Sequence, residues 1–269
     1  MILEIQICTY GVDGLDRVSK MELPIVENVR YTVCFQNPEN HKCDFPKELN
    51  RSDVRILEHS TKGLSVNRNF GLDNSQGDII LIADDDLKYS HDGLNYIINT
   101  FEKHPDIDFA AFKHIGGDNK HFPKCEFDFV GKDPRGYYLT SFELAIKRDS
   151  LPKEIRFSKN LGIGAPIFGA GEECVFLLRM KKHGLKGRFF PVVIAEHPNI
   201  STGNREASPA FLRAQGAWLW IRYGWIEGFL RLVRDIPRRN SDWSTSFKML
   251  INGFVKAHKY FDREGKELQ

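Results

Sequence analysis

Cysteine is scarce and unpatterned in this chain. Cys8, Cys34, Cys43, Cys125 and Cys174 are odd in number and form no C-x-x-C pair, which argues against a zinc site and a disulfide framework and suits a reducing compartment. No run of about 18 apolar residues occurs, so no transmembrane helix is expected. The opening residues ILEIQICTY read directly as a strand, without a basic segment, an apolar h-region or a small-residue cleavage site, so no secretion signal is expected and the cytoplasm is the expected location. A net charge of only +2 gives no global field for nucleic acid. Repeats and low-complexity tracts are also missing. What remains is a 269-residue chain, 41% hydrophobic and 28% charged, long enough to bury a large core in one domain plus an appendage.

Strand-like runs alternate with helical patterns along the first two thirds. Residues 2–9, 30–36, 54–58, 79–83 and 108–113 read as strands, and 64–75 and 91–103 as helices. That alternation predicts an α/β fold with a mostly parallel sheet flanked by helices. Residues 116–136 are rich in glycine, proline and charge and read as a loop insertion. The run from Tyr137 to Arg148 reads as strand again, so the sheet is expected to resume there.

The most informative stretch is LSVNRNFGLDNSQGDIILIADDD, residues 64–86. Ile79, Ile80, Leu81, Ile82 and Ala83 are apolar on successive positions, as in a strand buried on both faces. Sheets of that kind present ligands at the carboxyl ends of their strands, where Asp84, Asp85 and Asp86 emerge. Asp84 and Asp86 are one residue apart, which in a turning backbone lets both carboxylates reach one hard divalent cation that also holds phosphate oxygens. A solvated loop or a cap for the next helix is the plainer alternative. Asn67, Arg68 and Asn69 lie about ten residues before the strand, on a helix that can bring a cation and amide donors to a nucleotide.

Two later features carry chemistry. Glu172 and Glu173 follow a Gly-Ala-Gly approach and open an apolar-periodic helix through Val175, Leu178 and Met180. Acids in a first helical turn complement the helix dipole; a carboxylate there can also take the proton from an attacking hydroxyl. His197 ends the apolar run PVVIAEH, as a hydrogen-bonding residue or as an imidazole that completes a mixed oxygen and nitrogen site for Mn²⁺ or Mg²⁺. Ser201, Thr202 and Gly203 follow in a turn suited to closing over a diphosphate.

Taken together, SVNRNFGL…NS.GDIILIADDD, FGAGEECVFLLRMKKHG (168–184) and PVVIAEHPNISTG (191–203) resemble the family 2 glycosyltransferases of the GT-A fold, in the family's order and over roughly residues 2–203. The resemblance implies a GT-A type domain at 1–205 with a helical extension at 206–269. It implies a D-x-D that binds metal and a sugar nucleotide, with Asp84 and Asp86 as metal ligands and His197 as the third. Asp85, Asn67 and Arg68 would then face the nucleotide, while Thr9, Tyr10 and Gln36, at the ends of the first two strands, would flank a pyrimidine base. Of the acidic pair, the second acid is the family's usual base, so Glu173 takes that role and Glu172 binds hydroxyls of donor or acceptor; the family more often carries Asp there. The implied reaction is inverting, metal-dependent transfer from a nucleoside diphosphate sugar, UDP first, to a glycan or lipid-linked glycan, as in bacterial surface polysaccharide synthesis. An aspartyl-nucleophile phosphatase also places D-x-D after an apolar strand, and a non-catalytic sugar-nucleotide binding module would leave Glu173 dispensable.

Beyond residue 208 the composition changes. FLRAQGAWLWIRYGWIEGFLRLVRDIPRR, residues 211–239, interleaves Trp218, Trp220, Trp225, Phe229 and Leu230 with Arg213, Arg222, Arg231, Arg234, Arg238 and Arg239. That pattern serves either packing against the main domain or peripheral contact with the inner face of a membrane.

Overall fold

The apolar runs pair as strands because each can satisfy its backbone only against a neighbour. The computed structural model describes residues 1–116, 120–197, 208–235, 243–262, 265, 266 and 268. These residues form two compact units, one of Met1–Lys62, Asn67–Glu154 and His183–Asn204, the other of Gly63–Val66, Ile155–Lys182 and Arg205–Gln269. The second unit draws residues from both sides of position 205.

The first unit carries strands β1 (Leu3–Tyr10), β2 (Val29–Gln36), β3 (Val54–His59), β4 (Ile79–Asp84), β5 (Lys88–Tyr89), β6 (Phe109–Ile115), β7 (Phe127–Asp128), β8 (Leu144–Lys147) and β9 (Gly187–Glu196). They make one sheet in the order β3-β2-β1-β4-β8-β6-β9-β5, with β7 beside β9. Pairs β3–β2, β2–β1, β1–β4 and β6–β9 are parallel, whereas β8 runs antiparallel to both β4 and β6. Two reversals restore direction, so β1, β4, β6 and β9 all deliver their carboxyl ends to one edge. Strand order changes direction at β1, where β2 lies on one side and β4 on the other. That is the place where an open α/β sheet leaves a crevice.

Ile79 to Ala83 are all fully or almost fully buried, which explains a run with no polar alternation. Helix α1 (Gly11–Ser19) follows β1, and α3 (His91–Lys103) places Leu94, Ile97, Ile98 and Phe101 in the core with Ile5, Leu81 and Phe112. Helix α2 runs from Leu64 to Asn74.

The strand expected from Tyr137 to Arg148 is much shorter. Leu144–Lys147 forms β8, and Ser141–Glu143 before it is a 3-10 turn. Glu143 Oε2 accepts from the Thr140 backbone N–H at 3.2 Å, tightening the chain into that turn, and the Glu143 side chain is fully buried. The loop insertion also contributes β7, which pairs Phe127 with Phe189 and Asp128 with Arg188.

The second unit has its own apolar core. Val175 and Leu178 of α4 (Glu172–Lys182) cluster with Leu212, Ala217, Trp220 and Ile221 of α5 (Pro209–Asp235) and Leu250 and Phe254 of α6 (Trp243–Ala257). Gly216 faces Leu250 O and Gly253 faces Arg213 O so closely that no Cβ fits at either position, so α5 and α6 meet backbone to backbone. Gly224 breaks α5 with φ 79° and ψ −166°, a conformation that a residue with a side chain resists. Among the described residues no helix is long and apolar enough to cross a membrane.

Candidate active site

Topology converges acids at the carboxyl edge of the sheet. Asp84 closes β4 opposite Cys8 of β1, and Asp85 and Asp86 follow it into the crevice. Each carboxylate has a different set of partners.

Asp85 is held from the β1 side. It accepts from Thr9 Oγ1 at 2.6 Å and, on both oxygens, from Arg17 of α1, Nε to Oδ1 at 3.1 Å and Nη2 to Oδ2 at 2.8 Å. This forked pairing keeps the Arg17 guanidinium above its ordinary value. Helix α1 comes this near because Gly14 has no side chain; a Cβ there would overlap Thr9 Oγ1 and touch Asp85 Oδ2.

Asp84 is held from below. Arg68 is buried and donates from Nη2 to Asp84 Oδ1 at 3.1 Å and to Ser141 Oγ at 2.6 Å. The neighbouring Asn67 is also buried; its Nδ2 donates to Thr9 O at 3.2 Å and Cys34 O at 2.9 Å, while its Oδ1 accepts from His59 Nε2 at 2.9 Å. The pair therefore brackets the ends of β1 and β2 and fixes the first acid.

Asp86 lies nearest His197. The His197 Nε2 to Asp86 Oδ1 distance is 3.7 Å, and the His197 backbone N–H donates to Ile115 O at 2.8 Å, tying the end of β9 to β6. The imidazole stacks on Phe142 at 5.2 Å. Behind it His114 Nδ1 pairs with Glu143 Oε1 at 2.8 Å, and Lys120 Nζ donates to both Glu143 oxygens at 2.6 and 2.7 Å.

Among the described residues no group of three or more histidine, cysteine, aspartate or glutamate side chains is gathered tightly enough to hold a metal ion as it stands. The donor chemistry nevertheless suits one, with carboxylate oxygens and one imidazole nitrogen. Burial holds the Asp86 carboxyl above the ordinary carboxylate value, and the charges of Asp84 and Asp85 push it the same way, against His197 and Arg17. A divalent cation would relieve that excess of negative charge.

The raised Asp86 value has a sign that can be measured. The folded chain takes up this proton more readily than the unfolded chain. The stabilising contribution is therefore complete below the ordinary carboxylate value and is lost as pH rises through the raised one. Asp86→Asn is expected to melt above wild type at pH 7 in chelator, with the gap closing in acid. Thermal melts that show a gap independent of pH would remove the charge from the explanation.

Of the residues expected at the base, Thr9 is buried and spent on Asp85, and Gln36 Nε2 donates to Thr61 O at 3.0 Å. Tyr10 is exposed, with its hydroxyl 3.5 Å from Glu39 Oε1. Ser201, Thr202 and Gly203 lie outside the described residues. In the second unit Glu172 is buried, and a Cβ on Gly162 would come within 3.1 Å of its carboxylate and 3.0 Å of Ser65 Oγ. Glu173 beside it is half-buried at the start of α4, where the helix dipole favours a negative charge.

Arg17, Ser141, His114 and Glu143 join the site through the fold and are not among the residues expected from sequence. Thr140 to Glu143 does carry a T-x-x-E capping pattern that would have marked the turn. Arg17 and His114 have no motif and are found only through the fold.

Residues 43–164 match the family described as Glycosyl transferase family 2. No curated protein matches the chain significantly in sequence. Among solved structures, residues 1–349 of TarS from S. aureus superpose with a TM-score of 0.56 at 15% identity, over 98% of this chain and 73% of that one. The same fragment in complex with UDP-GlcNAc gives 0.56 at 15% identity, over 98% and 74%. The mannosyltransferase PcManGT from Pyrobaculum calidifontis, in complex with GDP-Man and Mn2+, gives 0.51 at 14% identity, over 95% and 69%. At these identities the superpositions establish the fold, and the family match supplies the activity class, which leaves the phosphatase alternative without support. Residues 43–164, across α2, β4 and the three acids, are thus similar to the family 2 glycosyltransferases, on a GT-A fold shared along nearly the whole chain.

Proposed function

We propose that this glycosyltransferase moves a sugar from a nucleoside diphosphate sugar, UDP-linked in the first instance, to a glycan hydroxyl with inversion, in a divalent-metal-dependent reaction. The observation that carries the reading is the approach of His197 to Asp86, 3.7 Å apart, two residues past Asp84 at the end of β4. Solved relatives of the same fold in complex with UDP-GlcNAc, or with GDP-Man and Mn2+, support it.

In this reading residues 1–205 carry the transfer chemistry and 206–269 extend it. Asp84, Asp86 and His197 would hold Mn²⁺ or Mg²⁺, which when bound supplies charge stabilisation to a departing diphosphate. Arg68 fixes the rotamer of Asp84 and spares it the search for a productive orientation. Asp85, clamped by Thr9 and Arg17, presents its remaining acceptor capacity to a donor hydroxyl, and Tyr10 offers its exposed ring to the base. Glu173 takes the proton of the acceptor hydroxyl as that oxygen attacks the anomeric carbon. The bond from that carbon to the diphosphate oxygen breaks on the opposite face. The buried Glu172 acts as the hydroxyl-binding neighbour.

The acceptor we propose is a growing, lipid-linked glycan of a bacterial surface polysaccharide, with the enzyme on the cytoplasmic side and in peripheral contact with the membrane. Calorimetry with UDP-, GDP- and dTDP-sugars tests the donor. A UDP-sugar is expected to bind with Mn²⁺ and to lose most of its affinity in chelator. Preference for a guanosine donor would move the base assignment, and failure of every nucleotide sugar with either metal would end the proposal.

A further inference from the structure

The aromatic and basic stretch at 211–239 divides into two parts once folded. Trp220 is buried and Trp218 half-buried, and Arg213 donates to Ile167 O and Met249 Sδ, so these belong to the packing of the second unit. Arg238 and Arg239 lie outside the described residues. Past the break at Gly224 the pattern reverses. Trp225, Ile226, Phe229, Leu230 and Val233 all point outward, with Ile226 82% and Leu230 64% exposed.

Their spacing draws one stripe along the second half of α5, while Gly228 and Leu232 face inward. Beside the stripe, Ile251, Phe254 and Val255 of α6 complete a groove of about 440 Å³. Apart from the Trp225 indole, its lining offers no hydrogen-bonding side chain. An apolar face this continuous is uncommon on a protein with no occupant for it.

Positive charge borders the face. On α6, Lys248 stands three residues before Ile251 and seven before Val255, on the same side of the helix, and Lys256 follows Val255. Arg234 sits one turn beyond Leu230, and all three cations are exposed. Across the two helices Arg213, Arg222, Arg231, Arg234, Lys248 and Lys256 stand against Glu227 and Asp235, and Glu227 is already paired with Arg231 at 2.7 Å.

We infer that this face docks on an anionic lipid surface, with Ile226 and Leu230 entering the boundary between headgroups and acyl chains. The inference rests on the membrane contact proposed above and assigns it to one surface. An apolar centre with a cationic border follows the order of an anionic leaflet, hydrocarbon within and phosphate at the edge. Trp225, apolar in body with one N–H donor, suits the headgroup level between them. A protein partner would have to present an apolar ridge with an acidic border, whereas a leaflet supplies both parts.

Sedimentation of the full chain with vesicles of equal parts phosphatidylcholine and phosphatidylglycerol, and with phosphatidylcholine alone, tests it. Wild type is expected to partition into the anionic vesicles, less as salt rises. The double variant Ile226→Glu/Leu230→Glu should lower the partition coefficient about 10-fold or more, with melting temperature and UDP binding unchanged. Should the glutamates lower the melting temperature, Ile226→Ser/Leu230→Ser carries the same expectation. Equal partition of wild type and variant would overturn this face and leave the membrane contact standing elsewhere. Failure of wild type to bind either vesicle would remove both. A wild-type dimer that the variant splits would assign the face to a second copy of the chain.

Discussion

Glu173→Gln is expected to transfer sugar roughly 10² to 10⁴ times more slowly than wild type while holding the donor with unchanged affinity, the usual worth of a general base. Glutamine keeps the volume and one acceptor oxygen at the start of α4 and removes only the capacity to take a proton. The acid limb of the pH–rate profile, which reports ionisation of the base, should therefore disappear along with the rate. Glu172→Gln serves as the comparison. Its carboxylate is buried against Gly162, so substitution there is expected to act through packing, with the acid limb retained. Single-turnover rates with a UDP-sugar measure both variants. If Glu172→Gln loses the acid limb and Glu173→Gln keeps it, the roles exchange; if both keep it, the base lies elsewhere.

How much of this was legible beforehand follows from where each signal resides. A strand covered on both faces writes itself as Ile79 to Ala83, because nothing polar is tolerated there. The acids after it are legible because α/β sheets put ligands at strand ends. The helix 91–103 is legible at its observed bounds, since Ser90 caps it by accepting from Gly93 N–H at 3.0 Å and the apolar period is regular. The stretch 137–148 misled because Tyr, Leu, Phe and Ile are strand formers by composition. Its polar residues Ser141 and Glu143 are committed to Arg68, His114 and Lys120, partners distant in sequence. Long-range pairing of that kind leaves no local pattern. Arg68 gives the same lesson inside a motif, since the sequence announces a cation near the nucleotide while the fold spends that cation on Asp84. The tryptophans of α5 divide between core and surface, Trp220 buried and Trp225 exposed past the break at Gly224, and a periodicity read straight through that glycine misses where the helix is redirected.

Removal of either acid proposed to hold the metal, Asp84 or Asp86, should weaken Mn²⁺-dependent UDP binding by about 100-fold or more, because loss of a residue that merely supports a ligand already costs roughly 10- to 100-fold. The two acids are expected to differ in stability. Asp84 neutralises the buried Arg68, and breaking a buried pair from one side costs about 3 to 5 kcal/mol where burial is complete. Asp84 is itself partly exposed, so the cost here should be smaller, and Asp84→Asn, which keeps an acceptor for Arg68, is the variant to use. Asp86 has the opposite character. It is burdened by burial first and by its acidic neighbours second, so Asp86→Asn should lose metal and gain melting temperature in chelator at neutral pH. A residue whose removal stabilises the fold and abolishes ligand binding is the mark of a site maintained against stability for the sake of its ligand. Calorimetry of UDP with Mn²⁺ and melts in chelator supply the two readouts. Wild-type affinity in both variants, insensitive to chelator, would sink the metal site, and a destabilised Asp86→Asn would mean that the carboxylate is structural.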